Sequence, residues 1–457
     1  MRAATLEGMF SQSFFSVAGP GSVLITALAL SLGATGATLG LIFAAGPIFQ
    51  GAQVLGPFLI PALRGSRRKG VIAATTAGRG VIFLIPLAVA FFSVPAALAT
   101  LVVCFLVSQV FNGISANVWT SWIGALVPRR IRGRFLGRRM QPAIVAGLIA
   151  AFAASLLKDL SAPGGIGGLA GFLRQKLGLA QGIWGVGGEH YAFIIIFAAA
   201  ALIGISAAFP FRKMTDRPSR EGRFTFAAFA EPFRDRAFRP LLVLFGFWFF
   251  AIYFGSPFWQ PFFMNELGLS LTTIQIYNVV STISMAATAA LWGKLVDRFG
   301  NRPVFRALML LSVANAFVYV FMTRDHYWWL WLEAATSGAM WGGAGVVTTN
   351  FLLRLSPEHK RDAYIAVFAV VTGACGLVSS LASGQLIGLL PATVTLGSFS
   401  IVNMKVAFAI TAFLRVLVQF PMYRVREPRA AGFRYMMRAV AADARLSLLR
   451  WLPRSMK

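Results

Sequence analysis

Long apolar runs separated by short polar stretches set the pattern of this chain. The runs are each about 20 residues long, the length a helix needs to cross roughly 30 Å of hydrocarbon. They do not alternate in polarity over segments of about 10 residues, as the strands of a membrane barrel would. The pattern predicts twelve membrane-spanning helices, at about 11–32, 38–62, 71–92, 95–126, 142–158, 191–210, 240–263, 271–292, 304–322, 328–353, 364–390 and 403–423. These are spans 1 to 12 below.

The connections divide by charge. Lys and Arg crowd the connections between spans 2 and 3, 4 and 5, 6 and 7, 8 and 9, and 10 and 11, together with the tail from Arg424. The opposite connections hold only Lys158, Arg174, Lys176 and Arg324. Basic residues mark the cytoplasmic side of a membrane protein, so both termini and the even connections are expected there. A missed helix would invert the alternation downstream, and no inversion occurs. Two longer segments break the rhythm: a glycine-rich excursion at 159–190 on the outer side, and a basic link at 211–239 that mixes Arg with Phe. The link and the tail both suit amphipathic helices lying on an anionic inner leaflet, with Arg434, Arg438, Arg445 and Arg450 toward lipid headgroups and Phe433, Met437, Leu448 and Trp451 in the lipid. The chain therefore reads as a six-helix half (1–210), a link (211–239), a second six-helix half (240–423) and a basic tail (424–457). Two repeats around a central site is the plan of many membrane transporters.

Composition removes other classes. Of the 457 residues, 57% are hydrophobic and 12% charged, against about 25% charged in soluble domains. The net charge of +27 invites a nucleic-acid partner, but its confinement to alternate connections assigns it to membrane orientation instead. Arg2 and Glu7 precede a first span with no separate cleavable signal, so none is expected. Cys104 and Cys375 lie in apolar runs and read as small buried hydrophobes. His190, His326 and His359 stand in connections at no ligand spacing, and no phosphate-binding loop, paired-cysteine motif or zinc-helix motif occurs. No metal, cofactor or enzymatic activity is expected. A membrane-embedded enzyme would need clustered acids or histidines at one surface.

The connection between spans 8 and 9 carries Gly293, Asp297, Arg298, Gly300 and Arg302, followed by Pro303. This arrangement of Gly, three residues, Asp, Arg, one residue, Gly and then bases resembles the signature cytoplasmic loop of the major facilitator superfamily. The glycines permit a tight turn and close helix approach. The first-half counterpart, Gly56 to Lys69, keeps glycines and bases but has Ile60 and Pro61 where the acid belongs. The connection Pro128 to Arg139 resembles the basic loop at that position in bacterial members, and Ser356 to Tyr364 is its second-half counterpart. The resemblance implies an all-α polytopic fold of twelve helices in two six-helix halves. It further implies that Asp297 meets the start of span 5, near Arg138, Arg139 and Gln141, and latches the halves on the cytoplasmic side in the outward-facing state. The alternative is an ordinary turn carboxylate.

In that fold the first helix of each three-helix unit lines the cavity, so polar residues in spans 4, 7 and 10 become binding candidates. Span 4 offers Gln109, Asn112, Gly113, Asn117 and Thr120; span 7 offers Trp248, Tyr253, Ser256, Trp259 and Gln260; span 10 offers Glu333, Ser337 and Trp341. Span 8 adds Gln275, Asn278 and Ser281. Such a lining suits a neutral or amphiphilic organic solute, although the same amides could serve as glue between helices. Glu333 is the one acid well inside an expected span. A carboxyl group there can carry a proton, which makes it the proton-coupling candidate, or it can belong to a structural pair or a wet vestibule. Arg79 could bind an anionic group or snorkel to the cytoplasmic surface. The expected function is secondary transport of a small organic solute across a bacterial cytoplasmic membrane by a monomer. A non-transporting receptor or assembly factor of the same fold is the alternative.

Overall fold

The computed structural model describes residues 2–56, 66–127, 129–162, 168–179, 183–184, 189–216, 227–357, 361–396, 399–425, 427 and 430–451. Ile60 and Pro61, on which the reading of the first-half motif rests, lie outside the described residues, as do most of the glycine-rich excursion and the first part of the link. The side chains of Arg445, Leu448, Arg450 and Trp451 are likewise not described.

In lipid the backbone must satisfy its own hydrogen bonds, so the apolar runs become helices. Eleven helices among the described residues are long and apolar enough to cross a membrane. Spans 1 to 9 are Arg2–Ser31, Gly36–Leu55, Arg67–Phe91, Val94–Ile123, Arg138–Ser161, His190–Arg212, Arg239–Glu266, Leu271–Phe299 and Asn301–Phe321; spans 11 and 12 are Ala363–Leu389 and Asn403–Met422. Span 10 is the 27-residue helix Trp329–Leu355. It has the length to cross, but its Trp, Thr and Gly residues and Glu333 make it less apolar. The fold is the twelve-helix, two-half architecture expected from the sequence. Spans 11 and 12 are joined by a hairpin of two antiparallel strands, β1 (Thr393–Leu396) and β2 (Phe399–Val402).

Three boundaries depart from the expectation. The first helix starts at Arg2, not near residue 11, and carries Glu7 into the bundle. The helix of span 5 begins at Arg129, with Pro142 inside it. Charge argues for a loop there, but arginine, leucine and methionine are good helix formers, and the basic run continues the helix into water. Span 8 continues to Phe299, so Gly293, Asp297 and Arg298 are helical and not in a loop. Gly300 alone makes the turn, with φ of 91°. A methyl group on Gly300 would lie 2.9 Å from the Cβ of Ala430, so the tail also needs this glycine.

Spans 1, 2, 3 and 7 are interrupted. Span 1 breaks at Gly19–Ser22, where Gly21 has φ of 77°. Span 7 ends its regular helix at Gly255 and passes through a tight 3-10 turn (Ser256–Phe258) into a wide π turn (Phe262–Glu266). Pro257 and Pro261 lack the amide hydrogens that a regular helix would use.

Among the described residues, the start of span 1, the tail helix and the basic connections lie at one end, called here the basic end; the other is the far end. Within the halves, span 1 packs on span 5, span 7 on 11, span 8 on 10, and span 9 on 12. Between halves, span 2 packs on span 11 and span 5 on span 8. The buried cores show how these halves meet. At the far end a single cluster combines first-half residues such as Phe14, Leu24, Phe105 and Phe197 with second-half residues such as Phe262, Tyr319 and Phe408. At the basic end the cores are separate, one around Trp122 and Phe211 and the other around Phe245, Phe305 and Met436. The tail helix Phe433–Trp451 docks on the second of these through Met436, while Met437 is exposed.

Glycines set the approach of spans 2 and 11. A methyl group on Gly40 would stand 2.6 Å from the carbonyl oxygen of Ser380 and one on Gly384 2.8 Å from that of Gly36. Gly40→Val is expected to destabilise the protein by about 1–3 kcal/mol, the usual range for overpacking. Gly345→Ala, at a position with open space around it, is expected to be neutral or stabilising. Thermal unfolding in detergent, followed by tryptophan fluorescence, checks both.

Candidate functional site

Glu333 lies in the second turn of the span 10 helix Trp329–Leu355, near its far-end start, and is 2% exposed. Its Oε2 accepts a hydrogen bond of 2.6 Å from the Tyr277 hydroxyl on span 8, which stands 3.4 Å from the Tyr319 hydroxyl on span 9. Trp259 of span 7 packs on Tyr319 with ring centroids 4.4 Å apart. The Arg415 guanidinium of span 12 lies 5.9 Å from the Trp259 ring and donates to the Ser312 carbonyl at 2.7 Å. Five spans thus meet around one carboxyl group. Helix position alone separates Glu333 from Arg415 in depth, but the long arginine side chain reaches this aromatic group. The Tyr319 and Ser337 side chains and the Arg415 guanidinium also stand around this carboxyl group.

The first half holds a second polar chain. Glu7 is 3% exposed and pairs through Oε2 with Arg139 at 2.6 Å. Its Oε1 accepts from Ser11 at 2.6 Å, and Ser11 accepts in turn from Arg79 at 2.8 Å. Arg79 also donates to the Gly204 carbonyl at 2.9 Å, and Arg139 lies 4.3 Å from the Trp119 ring. Arg79 stays inside the bundle and does not snorkel. The sequence reading counted Glu333 as the one embedded acid; the longer first helix adds Glu7, and the extension of span 5 to Ser161 adds Asp159, which is 4% exposed.

The amides of span 4 face their own half. Gln109 and Asn112 are fully buried, and Asn112 donates to Ser108 at 3.0 Å. Gly113 abuts the Phe49 carbonyl and Asn117 lies over Gly56, so this stripe packs on span 2. Both amide atoms of Gln109 lack partners. Trp248 is buried in the second-half core against Phe305, at 5.6 Å. Ser337 is buried beside Glu333, one helical turn further along span 10, and Trp341 is 41% exposed. Asn278 donates to Gln275 on its own helix at 3.3 Å. Tyr253 reaches across the interface to Gly46 of span 2.

The hydrogen bonds described between the halves all lie at the far end. Gln260 accepts from Thr26 at 2.5 Å and donates to the Gly21 carbonyl at 2.7 Å. The break in span 1 frees that carbonyl, and an amide from the other half satisfies it. Asp159 of span 5 accepts from the amides of Leu271 and Thr272, at 3.1 and 2.7 Å, and from the Thr272 hydroxyl at 2.6 Å.

The basic end is different. Asp297 is exposed and makes no ion pair among the described residues. The contact expected near Arg138 to Gln141 belongs to the outward-facing state; in this structure those positions lie inside a helix that began at Arg129, so their amides are committed to its earlier turns and no helix terminus stands there for Asp297. Asp297 instead borders an open pocket of about 620 Å³ with Arg298, Asn301, Asn350, Arg354 and Glu427. Glu427, just beyond span 12, caps span 9 by accepting from the amides of Asn301 and Arg302 at 3.3 and 2.8 Å, and it pairs with Arg354 at 2.6 Å. Asp216, just beyond span 6, does the same for span 3 through Ser66 at 2.5 Å and the Arg68 amide at 3.4 Å. Sequence reading missed both caps; an acid shortly after the last span of each half was the available signal. Among the described residues, no group of three or more His, Cys, Asp or Glu side chains is placed to hold a metal ion.

Comparison with known proteins adds the family. The sequence model described as Major Facilitator Superfamily matches residues 9–380 and 241–446. A putative metabolite transport protein of Haemophilus influenzae is 35% identical over 72 residues, which is 16% of this chain and 18% of that relative's length. The solved nucleoside transporter NupG is similar in fold, with a TM-score of 0.62 at 14% identity, covering 93% of this chain and 99% of that one. A bacterial homologue of the human lysosomal transporter Spinster, in an inward-facing and occupied conformation, gives 0.62 at 16% identity over 93% and 95% of the two chains. A D-xylose–proton symporter gives 0.60 at 16% identity over 93% and 97%.

The two kinds of ion pair should respond differently to truncation. Glu7→Ala strands buried Arg79 and Arg139 without their carboxylate and is expected to cost about 3–5 kcal/mol. Asp443→Ala breaks the Arg298–Asp443 pair, whose side chains are each 55% exposed, and is expected to cost under about 1 kcal/mol. Unfolding titrations of the purified variants check both.

Proposed function

This chain belongs to the Major Facilitator Superfamily, and we propose that it moves a small organic solute across a bacterial cytoplasmic membrane by alternating access, driven by a proton that Glu333 carries. One observation carries this reading. The halves share a single core at the far end and have separate cores at the basic end. A molecule closed at one end and parted at the other is one of the two states that rocking about a midplane site requires. With the basic end in the cytoplasm, as the distribution of Lys and Arg supports, this state opens inward.

In the opposite state the basic end closes, and Asp297 is the carboxylate available to meet it. Its partner is the Arg138 side chain, exposed on the facing helix, and not a helix terminus. Gly293, Arg298, Gly300 and Arg302 complete this gating element: Gly300 makes the turn, and the Arg302 amide is held by Glu427. The solute site lies between the halves. Tyr253 and Trp341 supply aromatic surface and Asn278 a polar group, while Gln109, Asn112, Asn117, Trp248 and Ser337 are packed within their own halves and Gln260 is bonded at the far end, so these six support the site from behind. Such a lining suits a neutral or amphiphilic solute, and two proteins of similar fold, a nucleoside transporter and a D-xylose–proton symporter, mark the class to try first. Arg434 and Arg438, exposed on the tail helix, face anionic inner-leaflet lipid.

Reconstituted vesicles offered labelled nucleosides and pentoses, with and without an imposed pH gradient, test the reading. Accumulation above equilibrium under the gradient is expected, with Glu333→Gln losing accumulation while retaining exchange of solute across the membrane. Gradient-driven accumulation unchanged in Glu333→Gln would remove that residue from the role. An absence of flux across the panel and a wider set of metabolites would favour the non-transporting receptor of the same fold.

A further inference from the structure

We propose that Asp159 is the gating residue of the far end: its carboxylate holds that end shut by completing the start of span 8, and its release opens the molecule outward. This rests on the alternating-access reading and goes beyond it, since the signature motif concerns the basic end alone.

The start of span 8 depends on the other half. A helix leaves its first amides without partners inside the helix. Here Ser270 is the cap residue, and its side chain accepts from the Thr273 amide at 3.1 Å. Its carbonyl accepts from the Ile274 amide at 3.1 Å. The amides of Leu271 and Thr272 go instead to the two carboxylate oxygens of Asp159, and the Thr272 hydroxyl adds a third bond. A carboxylate is well matched to the positive end of a helix. One end of a second-half span is thus finished by a side chain from the first half.

The surroundings make this contact a switch and not just a cap. Asp159 is 4% exposed and Thr272 fully buried, so the bonds are shielded from water. When the halves part at the far end, the carboxylate and both amides lose their partners together and only water can replace them. The short helix Gly168–Leu177 of the outer excursion packs on both span 5 and span 8, covering the same junction. Spans 5 and 8 run antiparallel across the interface, and their other ends hold Arg138 and the exposed Asp297. Closing one end and opening the other therefore acts on the same two helices.

The test uses the full chain with Cys104 and Cys375 replaced by alanine. Ile387→Cys, at 3% exposure in the far-end core, reports opening of that end to a membrane-impermeant maleimide outside. Asn350→Cys, in the basic-end pocket, reports from the inside in inverted vesicles. Asp159→Asn keeps the shape and removes the charge. It is expected to raise labelling of Ile387→Cys about tenfold and to lower that of Asn350→Cys, the scale expected for charge-assisted bonds. Thr272→Val removes one bond of the three and is expected to shift both rates in the same directions by a smaller factor; it carries the test if Asp159→Asn does not assemble. Unchanged rates in the assembled variants would overturn the proposal. So would an equal rise at Ile387→Cys in Asp297→Asn, which would mark general loosening. Labelling needs no solute, so failure here is distinct from a failure of uptake.

Discussion

Inside hydrocarbon a polar group has no water to fall back on, and every charge and broken backbone bond must find its partner within the protein. The rest of this structure follows from that constraint. Most of the basic residues collect at one end. Inside the bundle, Glu7 is bound with Ser11, Arg79 and Arg139 in the first half, and Glu333 is grouped with Tyr277, Tyr319 and Arg415 in the second. Where proline and glycine interrupt spans 1 and 7, the freed carbonyl of Gly21 is satisfied by Gln260 of the other half. The same rule that folds each half therefore supplies the bonds that join them.

The two halves solve the problem in parallel. An acid beyond the last span of each, Asp216 or Glu427, caps the third span of that half at the basic end, and Glu427 also holds span 10 through Arg354. Between the halves the largest interfaces are two crossed pairs, spans 2 with 11 and spans 5 with 8, and span 7 also reaches span 1 through Gln260. Glycine-to-glycine packing in the first pair gives a smooth contact with few bonds to break. The second pair holds the directional bonds of Asp159. Smooth contact on one side and a small number of breakable bonds on the other suit rigid-body rocking between two states.

Much of this could be read in advance. Apolar length and the alternation of Arg gave the spans and the two halves, because the energy of crossing lipid is large and local in sequence. Asp297 and Gly300 were recognisable as a motif, and Glu333 as an unusual acid. The misses have physical causes. The helical extent of 129–137 and 293–299 was hidden because arginine and aspartate report on water, not on backbone conformation. Glu7 and Asp159 fall just outside the expected spans 11–32 and 142–158, within a turn of a span end, where burial depends on neighbours and not on the chain itself. The orientation of the span 4 amides toward spans 2 and 3 was equally a matter of packing, since a polar stripe looks the same whether it faces a cavity or a neighbouring helix.

Alternating access requires the two ends to open in opposition. Pulsed electron-spin distance measurements on two labelled pairs follow both ends at once: Thr35 with Leu389 at the far end, and Met140 with Leu291 on spans 5 and 8 toward the basic end. Two populations are expected in lipid, one short at the far end and long at the basic end, the other reversed, with their ratio shifting when the pH on one side is changed. A single distance in each pair, unmoved by pH or solute, would contradict alternating access.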